Sequence, residues 1–167
     1  MTLSMHQASV PVFAQGLKGL DTVLAKGKAG AEARGFDPAV LVQARLYPDM
    51  FPLARQVQIA CDFAKGAAAR LAGAEVPSWA DDETSFEALA ERIARTQAFI
   101  AGFKPEEIDG SEEREVTLKI GGEPRTFSGA TYLLHMALPN FYFHLSTAYA
   151  ILRKNGVEVG KRDFLGA

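Results

Sequence analysis

The chain is poor in the residues that most often carry chemistry. Its 167 residues include one cysteine, Cys61, and three histidines, His6, His135 and His144. A lone thiol closes no intramolecular disulfide and builds no cysteine cluster, and it fits a reducing, cytoplasmic setting. There is no basic block either. Eighteen Lys and Arg stand against 20 Asp and Glu, a formal net charge of -2. That leaves no footprint for nucleic acid, whose binding rests on neutralising phosphates. The start, MTLSMHQASV, has neither the basic region nor the apolar run of a signal peptide. No phosphate loop, Ser-His-Asp order, internal repeat or low-complexity tract is visible.

What is there is an ordinary globular balance, 48% hydrophobic and 23% charged, long enough for one domain over residues 1–167 with a sizeable core. One stretch stands out: Thr131 to Arg153, TYLLHMALPNFYFHLSTAYAILR, with no formal charge between Arg125 and Arg153. Its His135, Pro139, Asn140, His144, Ser146 and Thr147 are too polar for the run of roughly 18 or more apolar residues that a membrane span needs. A soluble helix with no membrane partner is the expectation.

Taken in order, Ser4 or Ser9 caps a first helix to about Lys28, with continuation to Arg34 left open. Gly16 and Gly19 weaken that helix, and close approach of a neighbour is the reason to keep them. Asp37-Pro38 opens a short helix to Leu46. A second long helix runs from about Asp49 to Leu71 and stops at Gly73. Its stripe is Leu53, Val57, Ala60, Cys61, Ala64, Ala68 and Leu71, mostly small residues. After a loop, Asp82 or Thr84 caps a third from Ser85 to Phe103, with Glu87, Glu91, Arg92 and Arg95 solvated. Lys104 to Glu113 is expected as an exposed connection. Val116, Leu118 and Ile120 then alternate with polar residues, and Gly121-Gly122 turns the chain into a β-hairpin over 115–128. Ser128 caps the last long helix, which Asn155-Gly156 ends. The tail folds back to bury Val157, Val159, Phe164 and Leu165.

On the last helix, Leu133, Ala137, Asn140, Phe141, His144, Thr147, Ala148 and Ile151 share one face. Asn140 and His144 sit in its middle as neighbours. His135, nine residues from His144, lies on the opposite face. Pro139 removes the hydrogen bond to the His135 carbonyl. Tyr132, Tyr142, Phe143 and Tyr149 make the helix apolar nearly all round, so one side is covered either by the rest of the chain or by a twin. Cys61 has no base beside it and reads as inert.

Two stretches, FPLARQVQIACDFAKGAAARLAG and PNFYFHLSTAYAILRKNGVEVGKRDFLG, resemble a domain-of-unknown-function branch of the DinB/YfiT-like metalloenzymes. The resemblance covers nearly the whole chain. It implies an all-α, four-helix bundle, here with one extra short helix and a small β-hairpin before the last long helix, and frequently a homodimer. In metal-binding members it implies three histidines on a divalent metal, one from the second long helix and two at i, i+4 on the last. Here the i, i+4 pair is Asn140 and His144. The second long helix offers Gln56, Gln58 and Asp62 in place of histidine, and His6 is a further candidate. An amide oxygen is a weak zinc ligand.

The expectation is therefore a metal-free or degenerate site that binds a small molecule in the bundle near His144. The ligand or metal candidates are His144, Asn140, Asp62, Gln58 and His6. The alternatives are a zinc- or nickel-dependent transferase or isomerase acting on a small thiol-linked substrate, and a structural homodimer joined through its aromatic faces.

Overall fold

The computed structural model describes residues 3–166. Four long helices carry the core: α1 (Val10–Ala33), α3 (Leu53–Ala72), α4 (Phe86–Ala101) and α7 (Leu138–Lys154). Between them lie the short helices α2 (Ala39–Val42), α5 (Pro105–Ile108) and α6 (Gly129–Tyr132), and α8 (Lys161–Phe164) closes the chain. The helix α3 packs against α7 on one side and α4 on the other, and α1 packs against the same two. One continuous cluster of buried apolar side chains fills the space between the four. No helix among the described residues is long and apolar enough to cross a membrane.

Strands β1 (Glu115–Ile120) and β2 (Glu123–Ser128) form the expected antiparallel hairpin, in register from Glu115–Ser128 to Ile120–Glu123. Gly121 and Gly122 make its turn, both at positive φ. Ser128 caps α6, its Oγ accepting from the Thr131 N–H. Gly73, at φ 70°, ends α3 as expected.

Several boundaries differ, each for a local reason. α3 starts at Leu53 rather than Asp49, because Pro52 sits extended before it. α2 stops at Val42, short of Leu46, and the Ala44 carbonyl accepts from the Leu53 N–H instead of continuing the helix. The cap of α4 is Ser85 itself, whose Oγ accepts from the Ala88 N–H at 3.2 Å, rather than Asp82 or Thr84. Within the expected connection from 104 to 113, Pro105 opens α5 and the Glu107 carboxylate accepts from the Lys104 N–H at 2.7 Å. That turn buries Ile108 against the core. In the tail, Val157 and Val159 are buried as expected, but Leu165 is half exposed.

The helix that opens at Ser128 is not uniform. α6 passes into a five-residue π-helical segment, Leu133–Ala137, before α7 begins. There the Leu138 N–H reaches back to the Leu133 carbonyl, one residue farther than in an α-helix. Pro139, which has no N–H and crowds the preceding turn, sits just beyond it. The widened turn is how the helix passes a proline.

Gly16 and Gly19 have the role expected of them. A Cβ on Gly16 would stand 2.5 Å from the Phe141 ring, and one on Gly19 would meet the backbone carbonyl of Phe164. Gly30, on the same helix, meets only the Val157 methyls at 3.9 Å and beyond. Gly16→Ala and Gly19→Ala are expected to lose about 1–3 kcal/mol through overpacking. Gly30→Ala is expected to gain up to about 1 kcal/mol from helix propensity. Urea denaturation of the three variants checks the contrast, and equal effects at all three would defeat it.

Candidate functional site

His144 stands on the face of α7 that meets α3 and is 8% exposed. Opposite it is Gln56, buried on α3, with the amide oxygen 2.7 Å from the imidazole Nδ1. The other end of the amide is also committed, since Gln56 Nε2 donates to the Phe51 carbonyl at 3.0 Å. An NH2 group held by a carbonyl leaves the amide oxygen facing the ring, so Nδ1 carries the hydrogen. Nε2 then holds a lone pair, and it makes no hydrogen bond to the described residues. The ring lies beside Phe63, stacked at 6.2 Å between centroids, and Phe143 presents an edge at 5.2 Å.

Burial disfavours the charged imidazolium and Arg55 adds repulsion, so the pKa of His144 is pushed down to about 4. At neutral pH this is an uncharged histidine with a fixed tautomer. Its Nε2 has a lone pair able to accept a hydrogen bond and is too weakly basic to hold a proton.

The other candidates are dispersed. Asn140, half-buried, turns back along its own helix, Nδ2 donating to the Met136 carbonyl at 2.7 Å. It supports the backbone beside Pro139 and makes no hydrogen bond to His144. His6 lies in the turn before α1, its backbone N–H on Asp109 Oδ1 at 2.8 Å. His135 is exposed and lies within the π-helical segment.

Gln58 and Asp62 join a separate network between α3, α4 and the loop that links them. Its centre is Arg92, read from sequence as solvated yet only 3% exposed in its side chain. The guanidinium donates to Asp62 at 3.1 Å, Asp81 at 2.9 Å, Glu83 at 2.8 Å and the Ala80 carbonyl at 2.8 Å. Lys65, also buried, pairs with Asp62 at 2.9 Å. Gln58 donates to Glu83 at 2.8 Å and accepts from Arg55, which pairs with Asp81. Trp79 covers the group, with Lys65 and Arg95 each 4.2 Å from its ring centre. A spacing signal for Arg92 existed: it follows Leu89 by three residues and precedes Thr96 by four, so it belongs to the inward stripe. The carboxylates of this network are committed to cations.

The donors do not make the metal set that the resemblance implies. Facing His144 there is an amide whose oxygen and nitrogen are both in hydrogen bonds, and Asn140 points to a carbonyl. Among the described residues no three His, Cys, Asp or Glu side chains converge on one point. A zinc site needs three such donors. Cys61 is buried and its thiol is pushed up to about 12 by that burial, so it stays protonated and unreactive.

The depressed pKa of His144 has a consequence for stability. In the unfolded chain the ring takes a proton near pH 6.5, but in the folded protein only near about 4. Protons therefore favour the unfolded chain across that window. The contribution is fully present above it and lost as pH falls through it, roughly 3 kcal/mol for a shift of this size. The stability gap between the native protein and His144→Gln should be widest at pH 7 and narrow by that order at pH 4, read by urea denaturation. An unchanged gap would contradict the buried neutral ring.

Comparison with known proteins gives two findings. The model of a domain of unknown function, DUF1993, matches residues 5–165. A DinB family member protein from Shewanella denitrificans, known from a crystal structure, is 39% identical and superposes with a TM-score of 0.88. The alignment covers 97% of this chain and 92% of that one. No curated protein matches. The chain belongs to the DUF1993 family, a branch related to the DinB-like proteins.

Proposed function

We propose that this protein is a metal-independent binding module that takes a small molecule beside His144. The observation that carries the reading is the His144–Gln56 hydrogen bond, with Gln56 held in turn by the Phe51 carbonyl. It gives the space between α3 and α7 a satisfied, uncharged polar pair in place of a ring of metal donors. A cleft of about 340 Å³ is lined in part by Phe63, the ring that stacks on His144. That volume is at the lower end of those that small-molecule sites occupy. A mostly apolar cleft with few polar groups, bordered by the ring that stacks on His144, suits selection of a ligand by shape and one polar contact.

A homodimer is the second reading, and exposed aromatics support it. Phe143 is 56% and Tyr142 39% exposed on α7, and Leu134 is 52% exposed on the segment before it. The twin would lie on the side of the helix that faces away from α3.

Metal analysis of tag-free protein, after incubation with zinc, nickel and manganese, is expected to give sub-stoichiometric metal, unchanged in His144→Ala. One equivalent in the native protein, lost in the variant, would refute the metal-independent reading. Titration with the neutral compound 2-naphthylethanol is expected to shift the NMR signals of His144 and Phe63 saturably, with Phe63→Ala losing the response; no shift at either residue refutes ligand binding. Light scattering at micromolar concentration should show twice the chain mass, and Phe143→Glu should halve it. A native monomer would remove the dimer.

A further inference from the structure

We propose that the cleft between α3 and the hairpin binds a small carboxylic acid with an apolar body, its carboxylate held by Arg70. The inference rests on the binding reading above and specifies the class of ligand.

The cleft has two unlike halves. Phe63 of α3, Leu118 and Ile120 of β1, and Met136 of the π-helical segment supply an apolar wall. Arg70 of α3 supplies positive charge beside it, and Lys119 borders the cleft through a strand position whose side chain alternates away from Leu118 and Ile120. Neither cation has a carboxylate within salt-bridge distance among the described residues. The contrast with the rest of α3 is sharp, since Lys65 and Arg55 are both paired with carboxylates.

Arg70 is also held in place. Its Nη1 donates to the buried Tyr132 hydroxyl at 3.1 Å, and the guanidinium lies 5.9 Å from the centre of that ring. A Cβ on Gly66, one turn back along α3, would collide with Nη1. Glycine inside a helix costs about 1 kcal/mol against alanine, and at Gly66 it leaves room for the guanidinium to lie against the helix. The result is a half-buried, positioned cation with donors left over. A planar fork of N–H groups matches a carboxylate in two parallel hydrogen bonds.

The one acid at the cleft is Asp62, which could repel such a ligand. Its charge is already answered by Lys65 at 2.9 Å and Arg92 at 3.1 Å. Arg70 is therefore left as the cation of the cleft wall with no carboxylate paired to it among the described residues. A volume of about 340 Å³ with a largely apolar lining suits an aryl or medium-chain acid and leaves little room for a nucleotide.

The full chain is titrated by calorimetry with 2-naphthylacetate and with 2-naphthylethanol, which shares its ring system and carries no charge. The acid is expected to bind at least about ten-fold more tightly than the alcohol, as a charge-assisted pair implies. Arg70→Met should cost the acid at least that factor and leave the alcohol within about two-fold. Gly66→Ala should reproduce part of the loss, and Arg70→Lys should retain part of the preference. If Arg70→Met does not fold by circular dichroism, the acid-to-alcohol ratios of the native protein and of Arg70→Lys decide. Equal affinity for both compounds, or acid binding indifferent to Arg70→Met, overturns the carboxylate assignment and leaves the binding reading standing. Binding of neither compound overturns both.

Discussion

The constraint on which the rest depends is that α3 is enclosed on nearly every side. The helices α4 and α7 flank it, α1 lies across it, and Ala60, Ala64, Ala67 and Ala68 let those neighbours come close. A helix so placed cannot leave a polar side chain unsatisfied without a cost of about 1–3 kcal/mol for each one. Yet α3 carries Gln56, Gln58 and Lys65 at 5% exposure or less. Each has therefore drawn a partner to itself. Gln56 takes His144 from α7, Gln58 takes Glu83 from the loop, and Lys65 takes Asp62 one turn back and the face of Trp79. The polar architecture on both sides of α3 follows from that one enclosure.

The two sides differ in character. Toward α4 the groups are ions, and Arg92 gathers three carboxylates, Asp62 of α3 and the two, Asp81 and Glu83, by which it fastens the loop. Such a cluster fixes geometry more than it adds stability, because desolvation offsets much of the attraction. Toward α7 the groups are neutral, and a single hydrogen bond sets the imidazole tautomer. The first side is closed to further partners by its own charge balance. The second retains an acceptor with no protein partner among the described residues.

How much of this could be read in the sequence depends on range. Features set by one or two residues were legible: Gly73 and Asn155-Gly156 as helix ends, Gly121-Gly122 as the hairpin turn, Ser128 as a cap, Gly16 and Gly19 as close approaches. Short-range competition blurred others, such as Ser85 against Asp82 and Thr84, where three capping residues stand within four positions. α5 went unseen because a single turn carries too few residues to show a period. The candidate site was legible only in part. His144 could be placed on the inward face of its helix, but its partner lies 88 residues away. Periodicity says which face a residue occupies and nothing of which residue meets it across a helix pair. Asn140 shows the other limit: it shares the right face, but its amide turns back to the Met136 carbonyl instead of forward to the histidine one turn on.

The π-helical segment between α6 and α7 sets a register as well as passing a proline. One additional residue in a helical turn rotates everything beyond it by about 100° relative to an unbroken helix. The stretch before Pro139 packs Tyr132 and Leu133 inward near the hairpin, and the stretch after it packs Phe141 and His144 inward against α1 and α3. These two faces are in phase with the core only because of that offset. The same residues wound as regular α-helix between 133 and 138 would keep their composition, but one half or the other would turn its apolar side to water. The π-turn thus couples the placement of the hairpin, and with it the Arg70 cleft, to the placement of His144, through the count of residues between them.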